Sequence, residues 1–167
     1  VTNGGGLGVL ATDAIGESRL SVAEFGADTR AGLAELLPDE TTAANPLDVV
    51  GDADVTRFRR TLDVVLGAGT VGGVVVLAVP TAPLDLDALA GAIVDRTRRH
   101  GKPIVTCLMG GADADRAVET LAEHGLPNHF DPARAVASLA ALADYRDVRG
   151  RTRGSVATFD VDRDRAD

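Results

Sequence analysis

Six consecutive apolar residues, Val74–Val79, constrain this chain more than any other stretch. A strand with one wet face alternates apolar and polar side chains, whereas Val-Val-Val-Leu-Ala-Val leaves no position for solvent. Such a run is a strand covered on both faces, as in a parallel sheet held between two helical layers. Pro80 ends it, because proline has no N–H to give to a ladder. Thr81 and Ala82 then lead into a helix whose predicted N-cap is Asp85. Ligands of open α/β sheets sit beyond the carboxyl ends of the strands, near helix N-termini, so Thr81 and Ala82 are candidate ligand-facing residues.

The flanking sequence supplies the other layers. Val1-Thr2 reads as the end of a first strand and Asn3–Gly6 as a glycine turn. Leu7, Leu10, Ala11 and Ala14 share a helical face that ends at Gly16. Leu20–Phe25 reads as a second strand. Asp28 is placed to cap a helix carrying Leu33, Leu36 and Leu37, which Pro38 stops. Pro38–Ala53 is far longer than the median connection of about 4–6 residues, and its Leu47, Val49 and Val50 predict that it is pinned to the core. Val55, Phe58, Leu62, Val65 and Leu66 mark the next helix.

Beyond the central strand, Asp85–His100 presents Leu86, Leu89, Ala90, Ile93 and Val94 on one face and stops at Gly101. Pro103–Met109 reads as a fourth strand, Asp113–His124 as a helix and Pro127–Phe130 as a fifth strand. Asp131-Pro132 is an N-cap followed by proline at the first helical position, opening a helix to about Tyr145. Arg146–Asp167 has little periodicity and reads as a linker. Five strands alternating with helices predict an α/β, flavodoxin-like three-layer sandwich, its five-stranded parallel sheet in the order 2-1-3-4-5. The predicted domain covers 1–149 and the linker 150–167.

Named phosphate motifs fail on these residues. A dinucleotide fingerprint starting at Gly4 and Gly6 would need glycine where Val9 stands, and no Lys-Ser/Thr follows the glycines as a Walker loop requires. What remains at Asn3, Gly4, Gly5 and Gly6 is a close-approach turn feeding a helix N-terminus, able to meet an anion through backbone N–H groups or simply to pack tightly. His100 and His124 each end a helix before glycine, where a cationic ring complements the dipole. His129 falls in the fifth strand. Cys107, mid-strand, reads as a small buried hydrophobe. The acids Asp13, Asp48, Asp52 and Asp54 are scattered, and no Ser–His–Asp or Cys–His pairing can be assembled. Neither a catalytic residue nor a metal site is expected. A phospho-accepting receiver would need Asp where the third strand ends Ala78-Val79-Pro80, and no aromatic ring flanks Thr81 for a flavin.

Composition narrows the class further. At 167 residues, 45 % hydrophobic and 25 % charged, the chain fits one globular domain. No apolar run approaches the ~20 residues of a membrane span, and no leader pattern is present. With a single cysteine, these features predict a cytoplasmic protein without a membrane partner. The net charge of −8 argues against nucleic acid, which needs a basic footprint. Asp outnumbers Glu 19 to 6 and Arg outnumbers Lys 16 to one. Salt adaptation and biased codon usage both give that pattern.

Five blocks carry a resemblance. Thr2-Asn3-Gly4-Gly5-Gly6-Leu7-Gly8-Val9-Leu10-Ala11-Thr12-Asp13-Ala14 resembles the opening of one domain of NDP-forming acyl-CoA synthetases, and Asn45-Pro46-Leu47-Asp48-Val49-Val50-Gly51-Asp52-Ala53-Asp54 resembles its second block. Val79-Pro80-Thr81-Ala82, then Gly101-Lys102-Pro103 with Met109-Gly110-Gly111, and finally Leu142-Ala143-Asp144-Tyr145-Arg146 follow in family order. The similarity spans Val1 to about Arg149. Phe159-Asp160-Val161-Asp162 resembles the linker leading into an ATP-grasp domain.

The resemblance implies the third flavodoxin-like domain of an ADP-forming acetate- or acyl-CoA ligase, similar to the carboxy-terminal domain of the succinyl-CoA synthetase β subunit. Such enzymes convert acyl-CoA, ADP and phosphate to acid, ATP and CoA through a phosphohistidine. ADP/ATP, CoA, phosphate and Mg belong to the full-length protein, and none is expected to be bound by this domain alone. The implied partners are the CoA-binding, histidine-bearing and ATP-grasp domains or subunits. By the same resemblance a helix N-terminus, here Pro80–Asp85, faces the phosphohistidine across a domain interface. Pro83 removes a donor there, and Asp85 and Asp87 compete for the dipole, which leaves the Gly4–Gly6 turn as the alternative anion contact. No residue matches the family's catalytic histidine, so the piece is expected to be inactive alone. A domain fused to a protein acetyltransferase and a free-standing α/β binding module are the rival readings.

Overall fold

A computed structural model describes residues 1–39, 41–151 and 154, so the linker residues Phe159–Asp162 lie outside the described residues. Its centre is a parallel pair, β1 (Val74–Ala78) and β2 (Ile104–Leu108), in register from Val74 opposite Ile104 to Ala78 opposite Leu108. Every residue of β2 is buried, as are all of β1 except Val75. The reason is the one the apolar run implies: successive side chains point to opposite faces, and both faces are covered.

Among the described residues six helices provide the cover. On one face Val74, Val76, Ala78, Ile104 and Leu108 join a core with α3 (Val55–Gly67), α4 (Leu86–His100) and α5 (Asp115–Glu123), centred on Phe58, Leu62, Leu89, Ile93 and Leu121, each 0 % exposed. On the other face Leu77, Val105 and Cys107 meet Ala11 of α1 (Gly5–Gly16) and Ala135 and Val136 of α6 (Pro132–Gly150). Each large side chain of these cores contributes about 1.5–3 kcal/mol by leaving water. The small helix α2 (Ala27–Ala34) inserts Leu33 beside α3. Its N-cap is Gly26, so Asp28, expected as the cap, lies within the first turn.

Helix ends follow local chemistry. The carboxylates of Asp54, Asp85 and Asp131 accept backbone N–H bonds at the starts of α3, α4 and α6, satisfying donors that a helix leaves orphaned. Gly101 closes α4 in the left-handed region (φ 63°), where a side chain would clash. Gly111–Ala114 forms a 3-10 turn, so the helix expected from Asp113 starts only at Asp115. α6 continues to Gly150, past the expected end near Tyr145 and into the segment read as linker.

In place of the expected five-stranded sheet, the described residues form a two-stranded one: the first and fifth segments join it only through single bridges, and the second forms no strand. Leu20–Phe25 is extended in sequence character but forms no strand. Asp48 instead bridges to Thr2, which also bridges to Leu77 of β1, and Thr106 of β2 bridges to Asn128. Thr2 N–H donates to Leu47 O, and Val49 N–H donates to Thr2 O. The long Pro38–Ala53 stretch is therefore pinned as expected: Leu47 and Val49 are 0 % exposed.

Candidate functional site

The carboxyl ends of β1, β2 and the bridging segments converge on one edge. Asn3, 4 % exposed, spans the gap from the first segment to the end of β1. Its Nδ2 donates to Val79 O at 2.9 Å, and its Oδ1 accepts from Val79 N–H at 2.9 Å. The amide side chain thereby continues the ladder where the backbone has turned away. Asn128 does the same on the far side: its Oδ1 accepts from Leu108 N–H (2.8 Å) and from the Thr106 hydroxyl (2.9 Å). Asn3 is thus a brace, its carbonyl and one amide donor engaged by Val79.

Gly4 is the extended N-cap of α1, and its N–H donates to the Thr2 hydroxyl at 3.0 Å. Gly5 and Gly6 open the helix, both exposed, with no side-chain cap and no acid in the first turn. A methyl on Gly6 would meet open space, whereas one on Gly5 would lie 2.9 Å from Asp48 Oδ2. α4 is different, since Asp85 caps it through Ala88 N–H at 3.0 Å and Asp87 occupies its first turn. Of the two helix entrances at this edge, α1 presents the freer backbone donors.

Thr81 follows β1 by three residues. Its hydroxyl is buried and finds no hydrogen-bond partner among the described residues, while Ala82 is exposed. The structure brings the two turns toward each other: Gly4 lies 3.6 Å, measured from an added methyl, from the Val79 side chain. Pro80 packs in turn against Gly110, at 3.4 Å on the same measure. Asn3–Gly6, Val79–Ala82 and the glycine exit of β2 therefore form one continuous rim.

Two features of that rim escaped the sequence reading. Asp48 places its carboxylate beside the α1 N-terminus, with Oδ1 held by Val50 N–H at 2.8 Å. Val50 has φ 61°, a genuine outlier for a β-branched residue and a local strain of order 1–3 kcal/mol. Arg57 secures the strained loop by donating to Val49 O at 3.0 Å and pairing with Asp52. The Arg57 hydrogen bond holds the Asp52 carboxyl below the usual carboxylate range. Asp48 looked like one scattered acid because only the fold sets it beside Gly5.

His100 and His124 lie at the helix ends where the sequence placed them, whereas His129 follows the single bridge at Asn128 and not a formed fifth strand. His100 is the last residue of α4, its Nε2 3.1 Å from Asp63 Oδ1, and Arg96 also pairs with Asp63 at 3.0 Å. His124 caps α5, its Nδ1 2.8 Å from Thr120 O. His129 donates its backbone N–H to Thr106 O at 2.8 Å, and its Nε2 is buried without a partner among the described residues. Cys107 is 0 % exposed, and burial, then the nearby Asp131, pushes its thiol up to about 11. Among the described residues no group of three or more His, Cys, Asp or Glu is placed to hold a metal ion, and no helix is long and apolar enough to cross a membrane.

The Ligase-CoA domain family profile matches residues 1–154. An ADP-forming acetate–CoA ligase of Archaeoglobus fulgidus is 37 % identical over 153 residues, which is 92 % of this chain and 22 % of that protein. The alpha subunit of an ADP-forming acetate–CoA ligase of Pyrococcus furiosus is 33 % identical over 144 residues, 85 % of this chain and 31 % of that subunit. Among solved structures, a dinucleotide-forming acetyl-coenzyme A synthetase of Candidatus Korarchaeum cryptofilum, in complex with phosphate and ADP, superposes with a TM-score of 0.80 at 27 % identity. That match covers 89 % of this chain and 32 % of the other. The chain spans about a fifth to a third of each of these proteins.

Proposed function

The chain belongs to the Ligase-CoA domain family, and we propose that it is one domain of an ADP-forming acetate- or acyl-CoA ligase, inactive alone. The full enzyme would convert acyl-CoA, ADP and phosphate to acid, ATP and CoA, with a phosphohistidine carried by another domain. This domain would present Asn3–Gly6 and Thr81–Ala82 to that phosphoryl group across a domain interface. The observation that carries the site assignment is the α1 entrance: a twelve-residue helix with exposed Gly5 and Gly6 and no side-chain cap. It fits a phosphate, whose charge complements the helix dipole and whose oxygens accept backbone N–H bonds.

Asp48 modulates that fit. Its carboxylate stands beside Gly5 at the α1 entrance, so a phosphoryl group would share the entrance with a second negative charge. ADP and CoA would be held by other domains, as would Mg. The sheet would read 2-1-3-4-5, putting the first and third segments together at the switch point of the fold. Val9, Leu10 and Phe130, 56 %, 55 % and 78 % exposed, are apolar side chains suited to cover by neighbouring domains.

The test is ATP formation from acetyl-CoA, ADP and phosphate, measured on the full-length protein and on this chain alone. Turnover by the full-length protein and none by the chain is the expected result. ATP made by the isolated chain would overturn the reading.

A further inference from the structure

The outward surface of α3, α4 and α5 is charged in two blocks of opposite sign. These three helices cover one face of the sheet, and α4 lies in the middle, packed against both others. On α3, Arg59 and Arg60 are exposed and have no ion-pair partner among the described residues. Arg99, on the same flank of α4, is also exposed and close enough for its charge to act on Asp63. On α5, Asp115, Glu119 and Glu123 recur every four residues along the exposed ridge, again unpaired among the described residues. A chain of net charge −8 thus concentrates arginine on one flank of α4 and acid on the other. α1 covers the opposite face of the sheet, so this surface is separate from the rim.

Two side-chain contacts fix how the three helices are staggered. Asp63 of α3 meets Arg96 at 3.0 Å and His100 at 3.1 Å, near the end of α4. Arg116 of α5 meets Asp87 at 3.3 Å, at the start of α4. Each helix follows a segment of one parallel arrangement, so all three run the same way. At a rise of about 1.5 Å per residue, Arg59 and Arg60 lie about 11 Å beyond Asp87 along α4, and Glu123 about 10 Å beyond it. The basic and acidic flanks are level. Between them the ridge of α4 is low: Ala88 is exposed, and a methyl on Gly91 would meet nothing within 4 Å. Asp95 stands on that ridge with Arg98 and Arg99 one turn further on.

We propose that this surface binds a second copy of the chain about a two-fold axis running along α4. Such an axis keeps depth and exchanges left for right, so α3 of each copy lies over α5 of the other. Arg59 and Arg60 then face Glu119 and Glu123 of the second copy, and the contact is made twice. An axis across the helices would instead stack arginine on arginine, which repulsion disfavours. Ala88 and Gly91 let the two α4 ridges approach. Long side chains on a helix lean toward its N-terminus, so Arg98 and Arg99 of one copy bracket Asp95 of the other. Three helices about 8–10 Å apart, with a central one about 22 Å long, offer roughly 500–600 Å² per copy. That is less than the ~800 Å² per partner of a standard interface, so the dimer is weak and reversible. At about 0.1 M salt, charges more than about 10 Å apart are screened, and the facing blocks outweigh repulsion between the remaining acids.

Sedimentation equilibrium of this chain in about 0.1 M KCl, from about 10 µM to about 1 mM, measures the association. The parent chain is expected to dimerise with a Kd of about 100 µM. Arg59→Glu with Arg60→Glu, or Glu119→Arg with Glu123→Arg, should weaken the dimer at least about tenfold. Each Glu→Arg adds two positive charges, so the second variant carries −4 in place of −8 and loses the dimer although its general repulsion is smaller. The two variants mixed in equal amounts, or all four changes in one chain, should restore it, because each arginine again meets an acid. All four positions are exposed, so the variants should keep the parental melting temperature within about 3 °C. A parent chain that stays monomeric to about 1 mM would overturn the proposal. So would variants that dimerise as the parent does, or that fail to associate on mixing.

Discussion

At the scale of single residues, the rim of the candidate site is held by side chains that imitate backbone. Asn3 closes two hydrogen bonds with Val79 in a region where it is itself 4 % exposed. Asn3→Ala removes both partners and leaves the Val79 N–H and carbonyl unpaired, which costs about 2–3 kcal/mol. Urea unfolding of the variant should show a lower midpoint with an unchanged slope. This brace is a structural role that the sequence did not show for an asparagine it singled out as a candidate site residue. Asn-Gly-Gly-Gly marks a turn in any sequence, but whether the amide meets a ligand or Val79 depends on β1 lying alongside. Asp48 and the left-handed Val50 were hidden for the same reason. Nothing in Pro-Leu-Asp-Val-Val marks a positive φ, and the residue that Asp48 approaches, Gly5, is distant in sequence.

Among elements, the strongest expectations held where one element determines its own environment. Val74–Ala78 is buried at every residue but Val75 because its own run is apolar, and α4 and α6 begin at the aspartates expected to cap them. Leu20–Phe25 forms no strand because a strand exists only with a partner, and among the described residues its backbone pairs with no other backbone. The α3–α4 contact adds an electrostatic tie. Burial pushes the Asp63 carboxyl up, but hydrogen bonds from Arg96 and His100 more than offset this and hold it below the usual range. A carboxyl depressed in the folded state contributes stability that is present above its unfolded pKa, near 4, and lost as pH falls through the lower folded value. Melts between pH 6 and pH 2.5 should show a steeper acid loss for the parent chain than for Asp63→Asn, which has no carboxylate to protonate. Parallel curves would mean that Asp63 contributes nothing.

Taken whole, the molecule carries a net charge of −8 on a surface richer in Asp than in Glu. Repulsion among those carboxylates is screened by salt, since the Debye length falls from about 10 Å at 0.1 M to about 3 Å at 1 M. The melting temperature should therefore rise between low and molar KCl, and an unchanged value would leave the aspartate excess without a role in stability. The central claim, however, concerns the carboxyl edge: α1's entrance is the part of this domain that works in the proposed ligase. The measurement that tests it most directly is ATP formation by full-length protein carrying Gly5→Val, beside His124→Ala at the end of α5. The valine Cβ would stand 2.9 Å from Asp48 Oδ2 and push the carboxylate or the helix entrance aside. Relieving that clash shifts the entrance, and a misplacement of about 1 Å near a reacting centre costs about 100-fold in turnover. Turnover reduced to that extent by Gly5→Val in a folded enzyme, with His124→Ala near parental, is the result this account predicts; full activity with Gly5→Val and loss with His124→Ala would contradict it.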